Sequence, residues 1–126
     1  MVEARDIIAR VIAGGDASDL TASELASWCK WKRVFPDDIL AALTAAGWTL
    51  APPGSRVVPE GGVDAWRILS NLDPENARDD SLLLDIHARL QRHGEKYPDR
   101  AVSVLHRNVV LYTIAAALRA LAEAKP

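Results

Sequence analysis

The chain predicts a mainly α protein: one compact helical domain of about six helices with one short β-hairpin. Three observations carry that expectation. Apolar residues recur at helical spacing through most of the chain, start and stop residues bracket those stretches, and a single pair of short extended runs flanks a Pro-Pro-Gly turn.

Residues 3–13 place Ile7, Ile8, Val11 and Ile12 on one side, away from Arg5, Asp6 and Arg10, and Gly14-Gly15 stops this first helix. Thr21-Ala22-Ser23-Glu24 is a capping box, in which the Thr21 hydroxyl accepts from the Glu24 amide while Glu24 reaches back. The helix it opens carries Leu25 and Trp28 and ends near Arg33. Pro36-Asp37-Asp38 starts the next, because proline suits a first turn and carboxylates there complement the positive end of the helix dipole. Ile39, Leu40 and Leu43 are its inner face and Gly47 its stop. Trp48-Thr49-Leu50 and Arg56-Val57-Val58, on either side of Pro52-Pro53-Gly54, read as a hairpin over 48–58.

Gly61-Gly62 divides the chain into halves, 1–62 and 63–126, which at this length share one core. In the second half Val63, Trp66 and Leu69 mark a helix that ends before Asp73-Pro74. Asp80 caps a helix with Leu83, Ile86 and Leu90 inward, and Gly94 and Pro98 punctuate a following loop. The last helix, about residues 100–123, is apolar nearly all round from Val109 to Leu118, as expected of a centrally placed helix or one in a homodimer seam.

Composition narrows the function. The 126 residues carry a net charge of −2, with 6 Lys/Arg against 8 Asp/Glu in residues 1–62 and 9 against 9 in 63–126. Neither half is a basic body, so nucleic acid would have to be met through a local patch. Cys29 is the only cysteine, which excludes an intrachain disulfide and disfavours a cysteine-based zinc cluster. The early residues lack a secretory pattern, and the longest apolar stretch is about half the roughly 20 residues a membrane crossing needs. The expected setting is the cytoplasm, with no membrane role.

Site chemistry is not indicated, and neither a cofactor nor a metal is expected. His87 and His93 are six residues apart and His106 lies on another element, so no pair has zinc-helix spacing. Ser103 and His106 fall one helical turn apart, but no glycine-rich elbow surrounds the serine. Asp37-Asp38 and Asp79-Asp80 stand at helix starts, where capping accounts for them. The three histidines read as surface or satisfied side chains.

Two surfaces remain as candidate partner sites. In Trp28-Cys29-Lys30-Trp31-Lys32-Arg33, the cations Lys30, Lys32 and Arg33 alternate with the aromatics Trp28 and Trp31. Such a patch stacks on rings and bases and contacts acidic groups; alternatively the tryptophans anchor the core and the cations are merely solvated. The second comprises Arg89, Arg92, His93, Lys96 and Arg100, which fits an acidic partner or a phosphate backbone. Its alternative is a solvated face, helped by an Asp85–Arg89 pair.

The first half resembles a winged helix-turn-helix in Thr21-Ala22-Ser23-Glu24-Leu25-Ala26, then Ile39 through Trp48, then the turn at Pro52-Pro53-Gly54. The resemblance implies a winged-helix-like N-terminal half ahead of a helical C-terminal half, with the helix from Pro36 as reader of the major groove. That helix offers Asp37, Asp38 and Thr44 but no Arg, Lys, Asn or Gln, which suits protein binding better than base reading. Arg5-Asp6-Ile7-Ile8-Ala9-Arg10, Asp38 through Leu43 and Ala45-Ala46-Gly47-Trp48 are similar to phrases in small accessory proteins of bacteriophages and prophages. That likeness implies a bacterial or phage-infected cell and a role as a viral accessory or inhibitor protein. The expectation is therefore a non-catalytic protein-interaction module, with a winged-helix DNA-binding regulator as the alternative.

Overall fold

A computed structural model describes residues 4–14, 19–47, 65–103 and 105–123, with the backbone alone described at 65–67. Among them are six α-helices: α1 (Ala4–Ala13), α2 (Ala22–Lys32), α3 (Pro36–Ala45), α4 (Ala65–Ser70), α5 (Ser81–Lys96) and α6 (Arg107–Glu123). Short 3₁₀ helices at Pro74–Asp79 and Pro98–Arg100 precede and follow α5. No strand occurs among the described residues, and the hairpin expected at 48–58 lies outside them.

The local signals act where the sequence places them. The capping box at Thr21 is made in full, with the Glu24 amide donating to the Thr21 hydroxyl at 3.2 Å and the Thr21 amide donating to the Glu24 carboxylate at 3.2 Å. Asp80 accepts from the Leu83 amide at 3.1 Å and so starts α5. Gly14 and Gly47 follow α1 and the end of α3 at φ of 122° and 93°, a region open to glycine but costly for other residues. By contrast Asp37 and Asp38 do not cap α3; its N-cap is Phe35, which makes no side-chain bond to the first turn.

One apolar cluster draws on both halves. Its fully buried members include Ile8 and Ile12 of α1, Ile39 and Leu43 of α3, Leu69 of α4, Leu83 and Ile86 of α5, and Leu111, Ile114, Leu118 and Leu121 of α6. Each such side chain contributes about 1.5–3 kcal/mol by leaving water. α6 is the hub, packing against α1, α4, α5 and the 3₁₀ helix at 74–79. α3 bridges to α5, and α1 touches α2 and α3.

Three expectations require correction. α5 runs through Gly94 to Lys96, because Gly94 is buried where Ala101 crosses it; an ideal Cβ there would lie 2.6 Å from the Ala101 Cα. α6 begins at Arg107 and not near residue 100, so Ser103 and His106 do not share a helical turn. Nor is α6 surrounded: Val109 and Tyr112 face outward, with Leu105 just ahead of them 92% exposed.

Candidate interaction surface on α2 and the neighbouring cleft

The α2 cluster divides over two sides of its helix. Leu25 and Cys29, four apart, turn into the core, which leaves Trp28 and Trp31 on the outward side. Trp31 is 75% exposed and Trp28 40%, and their rings meet edge to face with centroids 5.7 Å apart and planes at 88°. Of the two alternatives for these tryptophans, the core anchor is the one the packing rejects. Lys32 extends over the Trp28 ring at 5.5 Å and donates to the Ile12 carbonyl, one of the acceptors left open at the end of α1. Arg33 ends α2 in a left-handed conformation at φ 57° and is exposed.

Lys30 lies on another side and borders a cleft of about 370 Å³. Ala9 of α1, Leu25 and Cys29 of α2 and Phe35 form its apolar part, while Arg5, Asp6, Asp37, Asp99 and Arg100 join Lys30 at its charged edges. Burial pushes the Cys29 thiol up, with Lys32 partly opposing it, so this thiol stays neutral and unreactive at pH 7.

The second candidate patch is less cationic than its composition implies. Arg100 Nε donates to Asp38 Oδ2 at 3.0 Å and its Nη2 to Oδ1 at 3.3 Å, although the two residues are 62 apart in the chain. The guanidinium also lies 4.1 Å over the Phe35 ring. His93 Nε2 approaches the same carboxylate at 3.4 Å, and Arg89 pairs with Asp85 at 3.1 Å. Lys96 sits over Tyr97 at 5.6 Å. Arg92 is exposed and, with Arg89 and His93, borders a groove of about 280 Å³ against Ala41, Ala42 and Ala45 of α3. The first half thus supplies the carboxylate that neutralises the centre of the second half's basic face. The hydrogen bond to Asp38 holds the Arg100 pKa above its usual value. With Arg100 partly solvated, the bidentate pair contributes about 1 kcal/mol.

His87 corrects another expectation. It is 2% exposed and its Nε2 has no hydrogen-bond partner, so it is neither a surface nor a fully satisfied histidine. Burial first, and Arg107 second, lower its pKa. Among the described residues no three His, Cys, Asp or Glu side chains gather into a metal-binding group, and no helix is long and apolar enough to cross a membrane.

Helical periodicity alone could have separated Trp28 and Trp31 from Cys29, since the turn that buries the cysteine exposes its neighbours. No local signal marks Phe35, Asp99 and Arg5 as neighbours of one site, or Asp38 as the partner of Arg100. Compared with known proteins, the chain matches no protein family, no curated protein and no solved structure.

Proposed function

We propose that this chain is a non-catalytic protein-interaction module that docks a partner on the outward face of α2. The observation that carries the reading is the orthogonal pair Trp28 and Trp31, solvent-facing on a helix whose other face is core. Large aromatics in water are costly for a protein to keep and are the commonest anchors of protein interfaces. Arg33 at the end of the same helix is exposed with no carboxylate partner among the described residues, which favours an acidic surface opposite. The likeness to phage and prophage accessory proteins supports a host or viral protein as that partner, bound in an accessory or inhibitory role. Protein is favoured over DNA because the exposed residues of α3 are Asp37, Ala41, Thr44 and Ala45, none of them cationic.

Affinity capture from bacterial lysate, followed by binding measurements on the purified captured protein, tests the proposal. Trp31→Ala should leave the far-UV spectrum and melting temperature unchanged and weaken binding by about 2 kcal/mol, roughly thirtyfold. Binding that survives both Trp31→Ala and Arg33→Ala would place the partner elsewhere.

A further inference from the structure

We infer that the cleft between α1, α2 and the start of α3 is a binding site for a small amphoteric molecule of the α-amino-acid type with an apolar side chain. The inference is independent of the α2 docking face.

The cleft exists because small residues stand where bulky ones would close it. Ala9 on α1 and Ala22 and Ala26 on α2 line it, and their single methyl groups do not reach far enough to fill it. Its volume, about 370 Å³, is at the lower end of ligand pockets and accommodates a molecule of amino-acid size. Leu25 and Cys29 at its base are buried, so the interior takes an aliphatic or aromatic group.

The edges select charge. Three cations (Arg5, Lys30, Arg100) and three carboxylates (Asp6, Asp37, Asp99) border this one opening. Arg100 is committed to Asp38. The other five enter no ion pair among the described residues, although both signs surround the same space. Asp37 and Asp99 also bear electrostatically on Arg100, and an opening bordered by both signs is complementary to a ligand that carries both. An α-carboxylate fits Arg5 and Lys30, and an α-ammonium fits the aspartates. A ligand with one charge meets half of this edge with the wrong sign.

L-leucine and L-phenylalanine are titrated into isotopically labelled protein and the backbone amide shifts are followed. The expected result is saturable shifts of amides in α1, α2 and the start of α3, with an apparent Kd of order 1 mM. N-acetyl-leucine and leucinamide, each lacking one charge, should bind about tenfold more weakly or worse. Ala26→Phe, which fills the opening from an exposed position, should abolish the shifts, and Lys30→Gln should weaken them severalfold with the fold intact. Absence of saturable shifts with either amino acid up to about 20 mM overturns the inference, as that corresponds to affinity too weak for a built site. Equal binding of the singly charged analogues overturns it as well.

Discussion

Gly94 offers the most exacting test of the packing that holds the two candidate surfaces in place. In isolation, Gly94→Ala should stabilise α5, because alanine is favoured over glycine inside a helix by about 1 kcal/mol. The tertiary packing opposes this. The added methyl would lie 2.6 Å from the Ala101 Cα and 2.8 Å from its Cβ, and the nearer atom is backbone, which cannot rotate aside. Relief requires α5 and the 97–101 segment to separate by roughly an ångström, and overpacking of this kind costs about 1–3 kcal/mol. Arg100 precedes the displaced residue, so its 3.0 and 3.3 Å bonds to Asp38 lengthen too, adding about 0.5–1 kcal/mol for a partly exposed pair. The balance is a net loss of about 0.5–3 kcal/mol. Urea unfolding followed by circular dichroism measures it directly, and a fall in melting temperature of about 2–10 °C should accompany it. Restoring space with Ala101→Gly in the same chain should recover part of the loss, because it removes the clash with the Ala101 side chain and leaves the one with its backbone. A Gly94→Ala protein as stable as its parent would refute the close approach of these segments.

The remaining expectations concern charge. His87 is buried with its Nε2 unpaired, and Arg107 from α6 is the charged group that bears on it; no carboxylate offsets that cation among the described residues. Its folded pKa is therefore below the unfolded value of 6.5, so the unfolded chain takes up the proton first as pH falls. Stability is then full above that value and declines below it by up to about 1.4 kcal/mol per pH unit until the folded pKa is passed. His87→Leu should flatten this decline in urea midpoints measured from about pH 7 to about pH 5, and parallel profiles would show that His87 is not the group responsible. Asp38→Asn weakens the hold on both Arg100 and His93 and should cost about 1 kcal/mol at pH 7. An unchanged urea midpoint would mean that the α3–α5 junction rests on apolar packing alone.

Elements with a local cause were legible. The capping box at Thr21, the Asp80 cap and the glycines after α1 and α3 act within a turn of their own position, and they start or stop helices as written. The inward residues of α1, α3 and α5 were legible for the same reason, since a helical period of about 3.6 assigns a face without reference to the rest of the chain. The candidate site was half legible. Clustering left open whether Trp28 and Trp31 face solvent or anchor the core; both are exposed, whereas Lys30 belongs to the cleft and Lys32 ties α2 to the end of α1.

The second patch is less cationic than a count of its residues implies, for a definable reason. Counting Arg89, Arg92, His93, Lys96 and Arg100 treats a surface as the sum of one segment, and Asp38 arrives there from a helix in the other half. Gly94 misled in the same way: a glycine in a polar stretch signals a loop, but here it makes room for a crossing segment inside a continuous helix. Apolar residues surround the wheel of α6, which implied either an enclosed helix or one in a homodimer seam, and the enclosed reading does not hold. In the fold its neighbours cover one side, and Val109 and Tyr112 stay in water.

By itself, the amino-acid sequence determined the helical class, most helix boundaries and the inward faces of α1, α3 and α5, because short-range hydrogen bonds and side-chain periodicity settle these within a few residues. Tertiary structure alone decided that Asp38 meets Arg100, that His87 is buried without a partner, and that alanines on α1 and α2 leave a charged-edged cleft. Those outcomes depend on which helices lie side by side. Packing geometry sets that order, and a pattern repeating every turn carries no record of which other helix its apolar face will meet.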